Sequence, residues 1–332
     1  MKVLLYSEGQ NAFNKSGVGK ALQHQKKALE KNGIPYTLNP EEDYDIAHIN
    51  TFGLKSRRVL KKSKKKNIPV ICHTHTTFED FKNSFALSNI IAPFIKKLVV
   101  GIYSAADYLI SPSKYTMELV KGYGIQKGIE PVSNGVDTNK FKKNKELGEK
   151  FIKEYNINGP VVICVGLPFA RKGIFDFCKI AEEMPEYRFI WFGAKMTYVL
   201  PRKVKKLIKN PPSNVAFPGF VPEDTILGAY SAADAFLFLS YEENEGIVVL
   251  EALSMECPVV IRDIPVYKEW MQHEVNCHKA TDVNGFKKLL MDTSKLKGTV
   301  EAGRKTATDR DLQVIGAKLG GIYKKLIDNK MK

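Results

Sequence analysis

The chain reads as an α/β protein with two doubly wound parallel sheets in tandem. Three observations predict this. Short continuous runs of Val, Ile and Leu recur along all 332 residues, and strands buried on both faces need such runs, whereas half-exposed strands alternate. Helical spacing fills the gaps between the runs, and that β/α alternation builds parallel sheets with helices on both faces. The runs fall into two sets of about six, and the length suits two domains of ordinary size. In such sheets the ligand lies at the carboxyl ends of the strands. With two sheets face to face, the expected site is the cleft between them.

In order along the chain, the first set of strands is expected at residues 3–7, 36–38, 45–49, 69–73, 108–111 and 129–132. Helices over 19–31 and 114–121 lie among them. The second set is expected at 161–165, 188–192, 215–217, 235–239, 258–261 and 276–279. The predicted boundaries are 1–140 for the first domain and 141–310 for the second, with a hinge near 141–150. The last helix, about 311–328, carries Ile315, Leu319, Ile322 and Leu326 at a spacing that gives one buried stripe. It is expected to pack back on the first domain.

Apolar content of 44% and charge of 26% are those of a globular chain with a substantial core. No apolar run reaches 18 residues, so no transmembrane helix is expected, and the N-terminus reads as a strand rather than a signal peptide. Five scattered cysteines without metal-type spacing fit a reducing cytoplasm. The net charge is +15, unevenly spread: residues 51–100 hold 11 basic and 2 acidic residues. The densest stretch holds Lys61, Lys62, Lys64, Lys65 and Lys66. Such a cluster seeks a polyanion, either nucleic acid or an anionic membrane. A nucleic-acid binder would show stacking aromatics or a recognition helix, and neither is present, so no nucleic-acid partner is expected.

The chemistry-bearing segments stand at strand ends. Glu243-Asn244-Glu245-Gly246-Ile247-Val248-Val249-Leu250-Glu251 follows the strand at 235–239 and opens a helix. A glycine turn at a helix N-terminus is an anion site, since free N–H groups and the helix dipole face the ligand. Glu243 is expected in the turn, with Glu251 about two helical turns further on. Gly166 to Gly173, with Arg171 and Lys172, also joins a buried strand to a helix; a cation pair there neutralises charge growing on a diphosphate. Ser16-Gly17-Val18-Gly19-Lys20 opens the first helix, without the spacing of a dinucleotide fingerprint or a Walker loop. His73 and His75 end a strand, and one of them is expected to face the cleft. No third ligand stands at metal spacing, so no metal is expected. Ser133-Asn134-Gly135-Val136-Asp137 lies where the first domain should end.

Taken together, these segments resemble the retaining glycosyltransferases of family 4, which have the GT-B fold of two Rossmann-like domains. The paired glutamates 243 and 251, the segment 133–137 followed by Phe141, Arg171-Lys172-Gly173, Gly17, Tyr230-Ser231-Ala232-Ala233-Asp234 and Pro258-Val259-Val260 carry the resemblance, which spans nearly the whole chain. It implies that Glu251 holds the ribose hydroxyls of a nucleotide and Glu243 the donor sugar. It implies that Gly246, Ile247 and Val248 present N–H groups to the phosphates, that Lys172 binds the diphosphate, and that His75, rather than His73, faces the sugar. Leu167 stands where the family often has Arg, which leaves Arg171 as the second cation. Glu245 replaces a common aromatic residue.

Within the family, the short chain, the segment His73 to Phe81 and the Lys-rich first half resemble bacterial diglycosyldiacylglycerol synthases. That implies transfer of a hexose from UDP-glucose or UDP-galactose, bound as substrate without a further cofactor, to a monoglycosyl diacylglycerol at the cytoplasmic face of the membrane. Leu87, Ile90, Ile91, Phe94, Ile95, Leu98 and Val99 recur at helical spacing beside Lys96 and Lys97, as an interfacial helix requires. The alternative for this stretch is a core helix. The alternative for the whole is a family 4 enzyme acting on a polysaccharide, with the same donor residues and no lipid binding.

Overall fold

The computed structural model describes residues 1–9, 17–84, 88–193 and 200–331, in two compact units. The first comprises 1–81, 89–135 and 310–332, and the second 82–88 and 136–309.

In the first unit the strands are β1 (Val3–Tyr6), β2 (Tyr36–Thr37), β3 (Ile46–Ile49), β4 (Val70–His73), β5 (Tyr108–Ser111) and β6 (Gly128–Pro131). They form one parallel sheet in the order β2-β1-β3-β4-β5-β6. The helices are α1 (Gly17–Lys31), α2 (Leu54–Lys65), the single turn α3 (Phe78–Phe81), α4 (Ser88–Ala105) and α5 (Lys114–Gly122). The inner strands are mostly apolar because both faces are covered, and their buried polar positions, His48, His73 and Ser111, are hydrogen-bonded. One face packs on Val59 and Leu60 of α2, Val99 and Ile102 of α4, and Val120 of α5. The other packs on Leu22 and Leu29 of α1 and on Ile315, Leu319, Ile322 and Tyr323 of the C-terminal helix. Each such side chain contributes about 1.5–3 kcal/mol by burial.

The second unit repeats the plan. Its strands are β7 (Val161–Val165), β8 (Arg188–Phe192), β9 (Val215–Gly219), β10 (Ala235–Phe238), β11 (Val259–Arg262) and β12 (His278–Ala280), in the order β12-β11-β10-β7-β8-β9. The helices are α6 (Lys145–Glu154), α7 (Ile174–Glu182), α8 (Arg202–Lys209), α9 (Glu223–Ala232), α10 (Ile247–Ser254), α11 (Val283–Met291), α12 (Thr293–Lys297) and α13 (Val300–Thr308). The last helix of the chain, α14 (Leu312–Met331), belongs to the first unit.

The units divide after Gly135 and again before Arg310, a few residues ahead of the boundary expected at 140. The stretch 141–150 includes the first turns of α6, whose N-terminus is capped by Asn144: its side chain accepts from Leu147 N at 3.0 Å. Strand order reverses between β1 and β3 in the first sheet and between β7 and β10 in the second. At such reversals the loops leave in opposite directions and open a crevice at the carboxyl edge.

Candidate active site

In the second unit, both cationic and acidic segments sit at the reversal. The loop after β7 carries Arg171, Lys172 and Gly173; the loop after the neighbouring β10 carries Ser240, Glu243 and Gly246. Gly173 brings them together. Its φ is +81°, and a Cβ there would lie 2.4 Å from Leu239 O, so only glycine lets this turn lie against the end of β10. Tyr241 N then donates to Arg171 O at 2.8 Å.

Lys172 Nζ donates directly to Glu243 Oε1, and Ser240 Oγ donates to the same oxygen at 2.6 Å. Arg171 NH1 stands 3.9 Å from it. Burial pushes the Glu243 carboxyl up, but Lys172, Arg171 and the Ser240 hydroxyl outweigh burial and hold it below its ordinary value. It is therefore an ionised carboxylate in a 7% exposed site. The Lys172 ammonium also lies over the Phe238 ring at 5.3 Å. The Arg171 guanidinium is tethered: Nε donates to Ser84 Oγ at 2.6 Å and NH1 to Glu242 O at 3.0 Å.

Gly246, at φ +101°, turns the chain into α10. The first N–H groups of this helix, at Ile247 and Val248, lie outside its internal ladder, whose first bonds run from Val249 and Leu250 to Gly246 O. Glu251 lies one turn into α10, not two turns beyond Glu243, because residues 243–246 form the turn itself. It is fully buried, and Tyr230 OH donates to its Oε2 at 3.4 Å. Ser240 carries no motif of its own; its role comes from its place at the end of β10.

In the first unit, His75 is 8% exposed and its Nε2 donates to Asn50 Oδ1 at 3.0 Å. Gln25 Nε2 donates to the same oxygen at 2.9 Å and to His73 Nδ1 at 3.0 Å. His73 stacks on His75 at 3.9 Å and on His48 at 5.3 Å. His48 Nε2 donates to His73 Nδ1 at 3.2 Å, and Tyr323 OH of α14 donates to His48 Nδ1 at 2.6 Å. Sequence reading missed Asn50, Gln25 and His48, which meet the motif histidines only in the fold. Burial lowers the His75 and His48 pKa values to about 3. Gly17 starts α1, exposed and with open space where a Cβ would stand; Ser16 lies outside the described residues.

The basic run does not form the single patch expected of it. Lys62 pairs with Glu41 at 2.5 Å, and Lys64 with Asp107 at 3.1 Å. Helical geometry turns consecutive residues through 100°, so a run of five cannot share one face. The apolar stripe on α4 also divides. Val99 is buried, while Ile90 and Phe94 are 76% and 62% exposed; Leu87 lies outside the described residues. Lys96 folds over the rings of Phe78 and Tyr123, at 5.3 and 4.8 Å, whereas Lys97 is exposed. Among the described residues no helix is long and apolar enough to cross a membrane.

Comparison with known proteins identifies the family. The family model for glycosyl transferases group 1 matches residues 148–308, and that for glycosyltransferase family 4 matches residues 21–140. A processive diacylglycerol alpha-glucosyltransferase of Acholeplasma laidlawii is 42% identical over 98% of this chain and 99% of its own. An alpha-galactosylglucosyldiacylglycerol synthase of Streptococcus pneumoniae is 27% identical over 76% of this chain and 69% of its own. In fold, the chain is similar to Anabaena HepE, solved with UDP and glucose: TM-score 0.78, 19% identity, 97% of this chain and 99% of that one covered. The chain belongs to the family 4 glycosyltransferases, with the GT-B fold.

Proposed function

We propose that this enzyme moves a hexose from a UDP-sugar to a glycosylated diacylglycerol at an anionic membrane surface. One observation carries the donor half: Lys172, Glu243 and the N-terminus of α10 stand together at the strand-order reversal, with the buried Glu251 on the same helix. Glu251 takes the ribose hydroxyls, and Glu243 takes a sugar hydroxyl. Lys172, Arg171 and the N–H groups of Gly246, Ile247 and Val248 take the diphosphate and stabilise it as it leaves. Within the first unit, His75, held neutral by burial, offers a sugar hydroxyl a polar contact without adding charge. The relatives' activities on diacylglycerol lipids support the lipid acceptor. The alpha-glucosyltransferase at 42% identity favours glucose over galactose as the hexose, and an alpha product from an alpha-linked UDP-glucose is what a retaining transfer would give.

The membrane half rests on exposed residues of α2 and α4 in the first unit. Arg57 NH2 donates to Leu98 O at 2.8 Å and ties α2 to α4. Beside this link lies a groove of about 710 Å³ lined by Arg57, Pro93, Phe94, Lys97 and Leu98. Exposed Leu54, Ile90 and Phe94, with exposed Arg58, Lys61 and Lys97, give apolar anchors among cations, as interfacial binding demands. The test is incubation with anionic liposomes holding monoglucosyl diacylglycerol and each labelled UDP-sugar. A diglycosyl lipid from UDP-glucose is the expected product. Turnover of a soluble polysaccharide acceptor with no lipid product would overturn the acceptor assignment.

A further inference from the structure

Tyr267 closes the short turn Pro265–Tyr267 that follows β11, at the same carboxyl edge as Glu243 and Gly246. Its side chain is completely buried, with the ring edge-on to Trp270 at 5.6 Å. Its hydroxyl has no hydrogen-bond partner among the described residues. Burial, followed by the neighbouring charge of Glu243, keeps that hydroxyl protonated, so it is a donor at any ordinary pH.

An orphaned buried hydroxyl is costly, and phenylalanine would fill the same space without the cost. The place of the hydroxyl explains its presence. It lies 2.9 Å from where a Cβ on Gly246 would stand, so glycine keeps the start of α10 clear around it. Gly246 is also where the N–H groups at the start of α10 lack internal acceptors. Glu243 is already held by Lys172 and Ser240. Donors therefore converge here from two elements, and the matching ligand is an oxygen acceptor.

Resting on the donor-site reading above, we propose that Tyr267 is a further donor-binding residue, its hydroxyl donating to a diphosphate or sugar oxygen of the bound nucleotide sugar. The motifs that mark the donor site do not include this residue. The position lies outside both segments that announce the site in the sequence, and only the packing of the β11 turn on Gly246 brings it there.

The experiment compares the full chain with its Tyr267→Phe variant. Thermal unfolding is measured without nucleotide, and calorimetric affinities are measured for UMP, UDP and UDP-glucose. The expected variant melts at or above the wild-type temperature and binds UDP-glucose roughly tenfold more weakly, the loss of one hydrogen bond to a charged or polar oxygen. If UDP weakens as much as UDP-glucose while UMP is unchanged, the contact is to the diphosphate. If only UDP-glucose weakens, it is to the sugar. Unchanged affinities in a variant that folds normally overturn the proposal, and so does a variant that melts lower, since the hydroxyl is then a structural prop. Wild-type protein that binds none of the three overturns the donor-site reading itself.

Discussion

Lys172 and Glu243 are each other's partner, so a diphosphate at Lys172 must share the ammonium with a buried carboxylate. This makes the lysine a preorganised cation rather than a mobile one, which is the form that stabilises a leaving group best. Lys172→Met should lower turnover at saturating UDP-glucose by about a hundredfold or more. It also strands Glu243, and breaking a buried pair costs about 3–5 kcal/mol. The double variant Lys172→Met/Glu243→Gln should recover most of that stability, read as a melting temperature, and none of the turnover. Near-normal turnover in the single variant would move leaving-group stabilisation to Arg171. At this scale the motifs singled out Lys172, Glu243 and Glu251, of which the first two pair directly and the third lies on the helix that Gly246 opens. The sequence was silent on Ser240, Asn50, Gln25 and Tyr267, whose partners come from other strands and turns.

Elements were legible to different depths. The strands β7 and β8 lie where continuous apolar runs predict them, because a strand buried on both faces has only one composition. The facing of α2 and α4 was not legible, because exposure depends on neighbours such as Glu41 and Asp107 that lie far away in sequence. Two predictions belong to this scale, and the first rests on facing. Changing Arg58, Lys61 and Lys97 to Ser should weaken sedimentation with anionic liposomes, at about 1 kcal/mol per cation near the surface. Changing Lys62 and Lys64, which are spent in ion pairs, should weaken it much less; equal losses from the two sets would mean that the whole run contacts lipid. The second concerns the turn before α7. Gly173→Ala forces a Cβ against Leu239 O in a left-handed conformation, a cost of about 1–2 kcal/mol for the backbone alone. A lowered melting temperature together with weaker UDP binding is expected, since the same glycine sets Lys172 beside Glu243. A variant of normal stability and affinity would show that the turn has another route.

At the scale of the molecule, the chain leaves the first unit for the second over 82–88 and again from 136 to 309, and returns at 310, so α14 completes the first. The return ties α14 to the histidine cluster through Tyr323 and His48. Nothing local in the sequence announces that link, since the two residues are 275 positions apart. The cluster makes the first unit sensitive to acid. Burial lowers His24 to about 4 and His48 and His75 to about 3, and lowers His73 well below its ordinary value. Each is neutral and hydrogen-bonded: His24 Nδ1 donates to Gly135 O at 2.8 Å, and His73 Nδ1 accepts from both Gln25 and His48. A proton on His73 Nδ1 would set three donors against one another. In the unfolded chain the same groups take up protons near pH 6.5. Between that value and their folded pKa values the unfolded state binds more protons, so stability falls as pH falls. The slope approaches about 1.4 kcal/mol per pH unit for each histidine that titrates only on unfolding. Urea unfolding between pH 7 and pH 5, where carboxylates stay largely ionised, should therefore show declining stability, and His48→Gln should flatten the decline by about one histidine's share. A variant with the wild-type slope would show that His48 keeps its proton affinity in the fold, against the burial that encloses it.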